Sequence, residues 1–181
     1  NNFPDWAKKE VQAAIDVWSA NFKSNVVVTV DASWGRSSSW GVLGSARPGS
    51  FFSAFSGAPD PSLWYASAPA NAIAGKDLDK ANPDLIVQVN SAAPWNTRGD
   101  STPTSTEYDL ESVFIHEIGH GLGFLSNDAY DPFFGLGSLD QPTPFDAYLQ
   151  TSDGRRLADL PTPSKELGAA LTSSLVWSGP L

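Results

Sequence analysis

The chain has no cysteine and no methionine, and only two of its 181 residues are histidine. Without cysteine there is no disulfide framework, no thiolate nucleophile and no sulfur ligand for a metal, and the redox compartment is left open. Cations are scarce too: 11 Lys and Arg stand against 20 Asp and Glu, a net charge of −9. That balance speaks against nucleic acid or an anionic membrane surface as partner, since both are polyanions. No apolar run approaches the roughly 20 residues needed to span a bilayer. With no initiator methionine and no signal peptide at Asn1, the expectation is a processed product, secreted and extracellular.

What the chain does contain is enough to build a sizeable core, with 41% hydrophobic and 12% aromatic residues. A single domain and a monomer are expected. Val11, Ile15, Trp18 and Phe22 recur at helical spacing, with Pro4 near the start of the run. Val26 to Val30 reads as a strand, and Asp84 to Asn90 has the alternating, β-branched pattern of another. Between them, Ser33 to Pro61 is rich in Gly, Ser and Pro with interspersed Trp and Phe, which predicts ordered irregular structure. Leu63 to Ala74 reads as a short helical piece interrupted at Pro69. After Gly123 the pattern is loop-rich, with one helix expected near Ser164 to Leu171.

Both histidines fall in one pentapeptide, His116-Glu117-Ile118-Gly119-His120. On a helix, residues four apart lie on one face a turn apart, so the two imidazoles can share a metal with Glu117 beside it. The flanking sequence supports a helix. Thr106 and Asp109 have the form of a capping box, Glu107, Asp109 and Glu111 suit the positive end of the dipole, and Leu110, Phe114 and Ile118 repeat every four residues. Gly121 and Gly123 would let the chain leave through a left-handed turn. The helix is expected to be largely buried, with both histidines needing partners. The plainer alternative is a pair of hydrogen-bonded core histidines.

The order of elements, with His116, Glu117, His120 and Gly123 matching the first eight positions of HExxHxxGxxH, resembles the zincin metallopeptidases and, within them, the metzincins. His116-Glu117-Ile118-Gly119-His120-Gly121-Leu122-Gly123-Phe124, followed later by Phe145-Asp146-Ala147-Tyr148-Leu149, is also similar to a group of secreted bacterial metallopeptidase-like proteins. The resemblance implies an α+β, zincin-like fold in one catalytic domain. Residues 1–123 would form an upper subdomain with a twisted sheet and the active-site helix, and residues 124–181 a mostly irregular lower one with short helices. Ser126 stands where the metzincin pattern places a third histidine, and no methionine exists for a Met-turn. A third protein ligand would therefore be an oxygen donor. Asp146 is the leading candidate, placed about where a Met-turn would pass, with Asp128 and Asp131 as alternatives. Each has a structural alternative: Asp146 could cap a helix, and Asp128 and Asp131, with Asn127 and Asp140, could shape a loop or hold Ca2+.

The function expected is a secreted zinc-dependent metalloendopeptidase acting on protein or peptide substrates. A zinc-activated water would attack the peptide bond with Glu117 as general base. Tyr148 would stabilise the oxyanion, and the strand from Asp84 to Asn90 would be the edge on which substrate lies. A catalytically silent zincin-like binding or adhesion module would not need Glu117. A structural zinc protein would need a closed four-ligand shell. A non-peptidase zinc amidohydrolase fits the same residues.

Overall fold

Pro4 supplies the extended residue before the first helix, α1, which runs Asp5–Asn21. Its apolar stripe faces inward as the spacing predicts: Ala7 and Ala14 are fully buried, and Val11, Ile15, Trp18 and Phe22 pack on the core. The computed structural model describes residues 2–99 and 102–179. The chain is a mixture of α and β elements and divides into two units, Asn1–Ser50 with Ala66–Leu122 and Phe51–Tyr65 with Gly123–Leu181.

The first unit is built on a three-stranded sheet of β1 (Val30–Gly35), β2 (Gly44–Pro48) and β3 (Leu85–Asn90), with β3 in the middle. β1 runs parallel and β2 antiparallel to it. Leu85, Val87 and Val89, on one face of β3, are fully buried, each contributing about 1.5–3 kcal/mol through burial. The expected strand at 26–30 is displaced to Val30–Gly35. The cause lies far away in sequence: the Asp84 carboxylate accepts from the Thr29 backbone N–H at 2.8 Å and its hydroxyl at 3.0 Å. This fixes the register Val30↔Leu85 and leaves residues 26–29 without a strand partner in β3. The expectation that Asp84 to Asn90 forms the substrate edge is also corrected, because β3 is hydrogen-bonded on both sides. Among the described residues, β2 has a free edge.

α2 spans Ser67–Ala74. Pro69 opens this helix and does not interrupt it: in the first turn its missing N–H would have had no intrahelical partner. Asn71 donates to Asp84 at 2.7 Å and so ties α2 to the same carboxylate. The motif helix, α3, runs Leu110–Gly121 and is shorter at both ends than its periodicity suggests. Asp109 is itself the N-cap, accepting from Ser112 N at 2.8 Å, so the expected Thr106 capping box is not formed. Glu107 instead makes a two-point ion pair with Arg98, at 2.7 and 2.6 Å. Leu110, Phe114 and Ile118 are buried against α1 and the sheet, and Trp18 donates its indole N–H to Ile115 O at 2.9 Å. Gly121 is where α3 meets the sheet, since a Cβ there would stand 2.4 Å from Leu85 Cδ2.

The second unit is mostly irregular. Its core gathers Leu139, Leu149, Leu157, Leu167 and Ala170. α4 (Lys165–Leu171) lies where the sequence places it, with Ser164 as N-cap accepting from Leu167 N at 2.9 Å. Two short antiparallel pairs, Ala129–Asp131 with Leu136–Ser138 and Leu149–Thr151 with Leu175–Trp177, belong to it, as does the short pair formed by Phe51–Phe52.

Candidate metal centre

α3 brings the two histidines together. Their Nε2 atoms are 2.9 Å apart and the rings meet edge to face with centroids 4.5 Å apart. Two nitrogens bound tetrahedrally to one zinc at 2.0–2.1 Å would be separated by about 3.3 Å, so the pair is poised within a few tenths of an ångström of that bite. The expectation of buried histidines is corrected: His116 is exposed and His120 half-buried, while Glu117 between them is buried at 7% exposure. Turning the imidazoles outward and the carboxylate inward follows from the helical period, since residue 117 is rotated by about 100° from residue 116.

Glu117 is defined by what surrounds it. Burial pushes its carboxyl above the usual range, partly offset by the nearby imidazoles of His120 and His116. Among the described residues no hydrogen-bond donor reaches its carboxylate. Its neighbour in the sheet is Gly44, the first residue of β2, where an added Cβ would lie 3.2 Å from both Cγ and Oε1 of Glu117. The absence of a side chain at position 44 is what leaves room for the carboxylate. Gly44, Leu43, Ser112 and Val113 line an open cleft of about 310 Å³ together with His116 and Glu117. Nothing in a local reading of the sequence singles out Gly44, because its importance comes from α3 packing on β2.

The remaining predicted residues lie in the second unit. Asp146 is wholly buried and heavily hydrogen-bonded. Its Oδ2 accepts from Thr143 N at 2.7 Å, Thr143 Oγ1 at 2.9 Å and Asn127 N at 3.2 Å, and Oδ1 accepts from Ser126 Oγ. Asp146 N in turn donates to Thr143 Oγ1 at 3.1 Å. Thr143 and Asp146 thus form a reciprocal capping pair at the start of the turn Asp146–Tyr148. Asp128 also bonds Ser126 Oγ, and Asp131 accepts from Phe133 N and Phe134 N in a tight hairpin turn. Tyr148 is 42% exposed, with its ring edge-to-face on Trp177 at 5.8 Å. Among the described residues no group of three or more His, Asp or Glu side chains stands where it could hold an ion. The His116–His120 pair with Glu117 is therefore the part of the expected centre that the structure assembles. Asn127 and Asp140, the other residues considered for calcium, contact Gln141 O and Thr162 Oγ1.

The chain matches no known family model, no curated protein and no solved structure.

Proposed function

We propose that the chain is a zinc-dependent endopeptidase whose metal is held by His116 and His120. The observation that carries this reading is the convergence of two imidazole nitrogens beside a buried carboxylate that no donor among the described residues reaches, on the wall of an open cleft. A third protein ligand would be an oxygen donor, because the chain has no further histidine and no cysteine.

Bound zinc would polarise the scissile carbonyl and bring the pKa of water down to about 7. The chain's own contribution is proton handling. Glu117, which no donor among the described residues reaches, takes the proton from the attacking water and returns it to the leaving amine nitrogen. The free edge of β2, beginning at Gly44 beside Glu117, offers backbone groups on which an extended peptide can lie. No helix among the described residues is long and apolar enough to cross a membrane. Secretion belongs to the same proposal, and a chain without thiols is indifferent to an oxidising exterior.

Incubation of the zinc-loaded protein with unfolded casein tests the reading. Cleavage at internal bonds, lost with 1,10-phenanthroline and regained on adding zinc, is expected. A zinc-loaded protein that leaves casein and short acetylated peptides intact would overturn it.

A further inference from the structure

Next to the cleft at the histidine pair lies a larger one of about 480 Å³, and Leu43 stands in the wall of both. One wall is the connection between β1 and β2, and the other is the turn after β3. A single residue, Asn90, holds the two. Its backbone N–H donates to Leu43 O at 2.9 Å and its side-chain amide to Val42 O at 2.8 Å. Its Oδ1 accepts from Ser37 N at 3.2 Å and from Ala92 N at 3.0 Å. The connection is thus pinned at both ends, and the opposing turn is pinned by the same amide.

On this frame stand two aromatic residues with their surfaces in water. Trp40 is fully exposed and Tyr108 is 47% exposed. Scattered apolar side chains at a surface are ordinary, but a whole indole on a tethered loop at the mouth of a cleft is not. Among the described residues, none that lines this cleft is charged. A charged side chain entering it would lose hydration without gaining a counter-charge, whereas an aromatic or large aliphatic one would bury area against both rings.

We infer that this cleft is a specificity subsite for the peptide substrate, with Trp40 and Tyr108 as its selecting residues. The inference rests on the endopeptidase reading. A chain laid along the free edge of β2 with its scissile bond at Gly44 passes Leu43 and delivers a side chain into the cleft. At 3.3 Å per extended residue, that side chain is about one to three residues from the cut. The subsite accepts Phe, Tyr, Trp or Leu and rejects Asp, Glu, Lys and Arg. Continuity through Leu43 selects the peptide as occupant, because the cleft opens onto the place where the bond is broken.

The experiment is a cleavage profile on a synthetic peptide mixture with randomised positions, read by mass spectrometry of the products. Zinc-loaded parent, Trp40→Ala, Tyr108→Ala and Trp40→Phe are compared. The parent is expected to favour aromatic or Leu over charged residues by at least about tenfold at one fixed position. Trp40→Ala and Tyr108→Ala flatten that position alone, and Trp40→Phe restores most of it. An unchanged preference in both alanine variants overturns the subsite. If the parent cuts nothing, the endopeptidase reading fails separately, and N-acetylphenylalanine amide is titrated into the parent by NMR. A shift of the Trp40 indole N–H, assigned through Trp40→Phe, supports an aromatic site there, and no shift overturns it.

Discussion

Two carboxylates with little exposure, Glu117 in the first unit and Asp146 in the second, stand in opposite surroundings. Asp146 receives hydrogen bonds from Ser126, Asn127 and Thr143, so its charge is replaced bond for bond by local donors. Glu117 receives none from the described residues and is held by packing against Gly44 and the helix. The difference teaches which acid organises its unit and which can trade a proton. A carboxylate saturated with donors fixes backbone, while a desolvated one without donors is available to water and substrate.

The largest effect expected from breaking this contrast is on turnover. Glu117→Gln removes the base while keeping the shape, and hydrolysis should fall by about 10²–10⁴-fold, with urea unfolding neutral or shifted to higher stability because a desolvated charge is gone. A Gln variant that cleaves casein at the parent's rate would remove Glu117 from the chemistry. The mirror experiment is Asp146→Ala, which removes from a fully buried position the acceptor of two backbone N–H groups and the partner of two shared hydroxyls. It should lower unfolding free energy by about 3 kcal/mol, and a loss below about 1 kcal/mol would show the donors to be well solvated without it.

A subtler change sharpens the comparison by altering only the packing around Glu117. Gly44→Ala places a methyl 3.2 Å from Glu117 Oε1, Glu117 Cγ and Gln88 O. The carboxylate must give by a few tenths of an ångström, so turnover should fall about tenfold with the fold retained by circular dichroism. An unaffected rate would mean that the carboxylate has slack. The smallest effect concerns a half-buried acid outside either site. The Arg98 guanidinium, with help from Thr104, holds Glu107 down to about 2 from 4.5. A folded pKa below the unfolded one stabilises the fold above about pH 4.5, and the gain is lost as pH falls towards 2. The Tm of Arg98→Ala should therefore lie below the parent's near neutrality and merge with it in acid, and a gap that persists at pH 2 would assign the effect to packing.

Much of this arrangement was legible wherever the determinant is local. The four-residue repeat of Leu110, Phe114 and Ile118 marked α3, alternation marked β3, and Ser164 marked the start of α4. The pentapeptide with His116, Glu117 and His120 was legible because helical spacing alone brings those residues together. What escaped is non-local. Asp84 sets where β1 begins from 55 residues away, and Glu107 was assigned to the helix dipole although Arg98 takes it. The exposure of His116 depends on how α3 rests on β2, which no periodicity encodes. Gly44 and Asn90 gave no signal at all, since one matters for the side chain it lacks and the other for backbone groups far along the chain.

The central claim is that the histidine pair of α3 holds the metal. Calorimetric titration of zinc into the metal-free parent and into a His116→Ala/His120→Ala double variant tests it most directly. One zinc per chain in the parent and none in the folded double variant is the predicted result, and equal zinc binding by both proteins would contradict it.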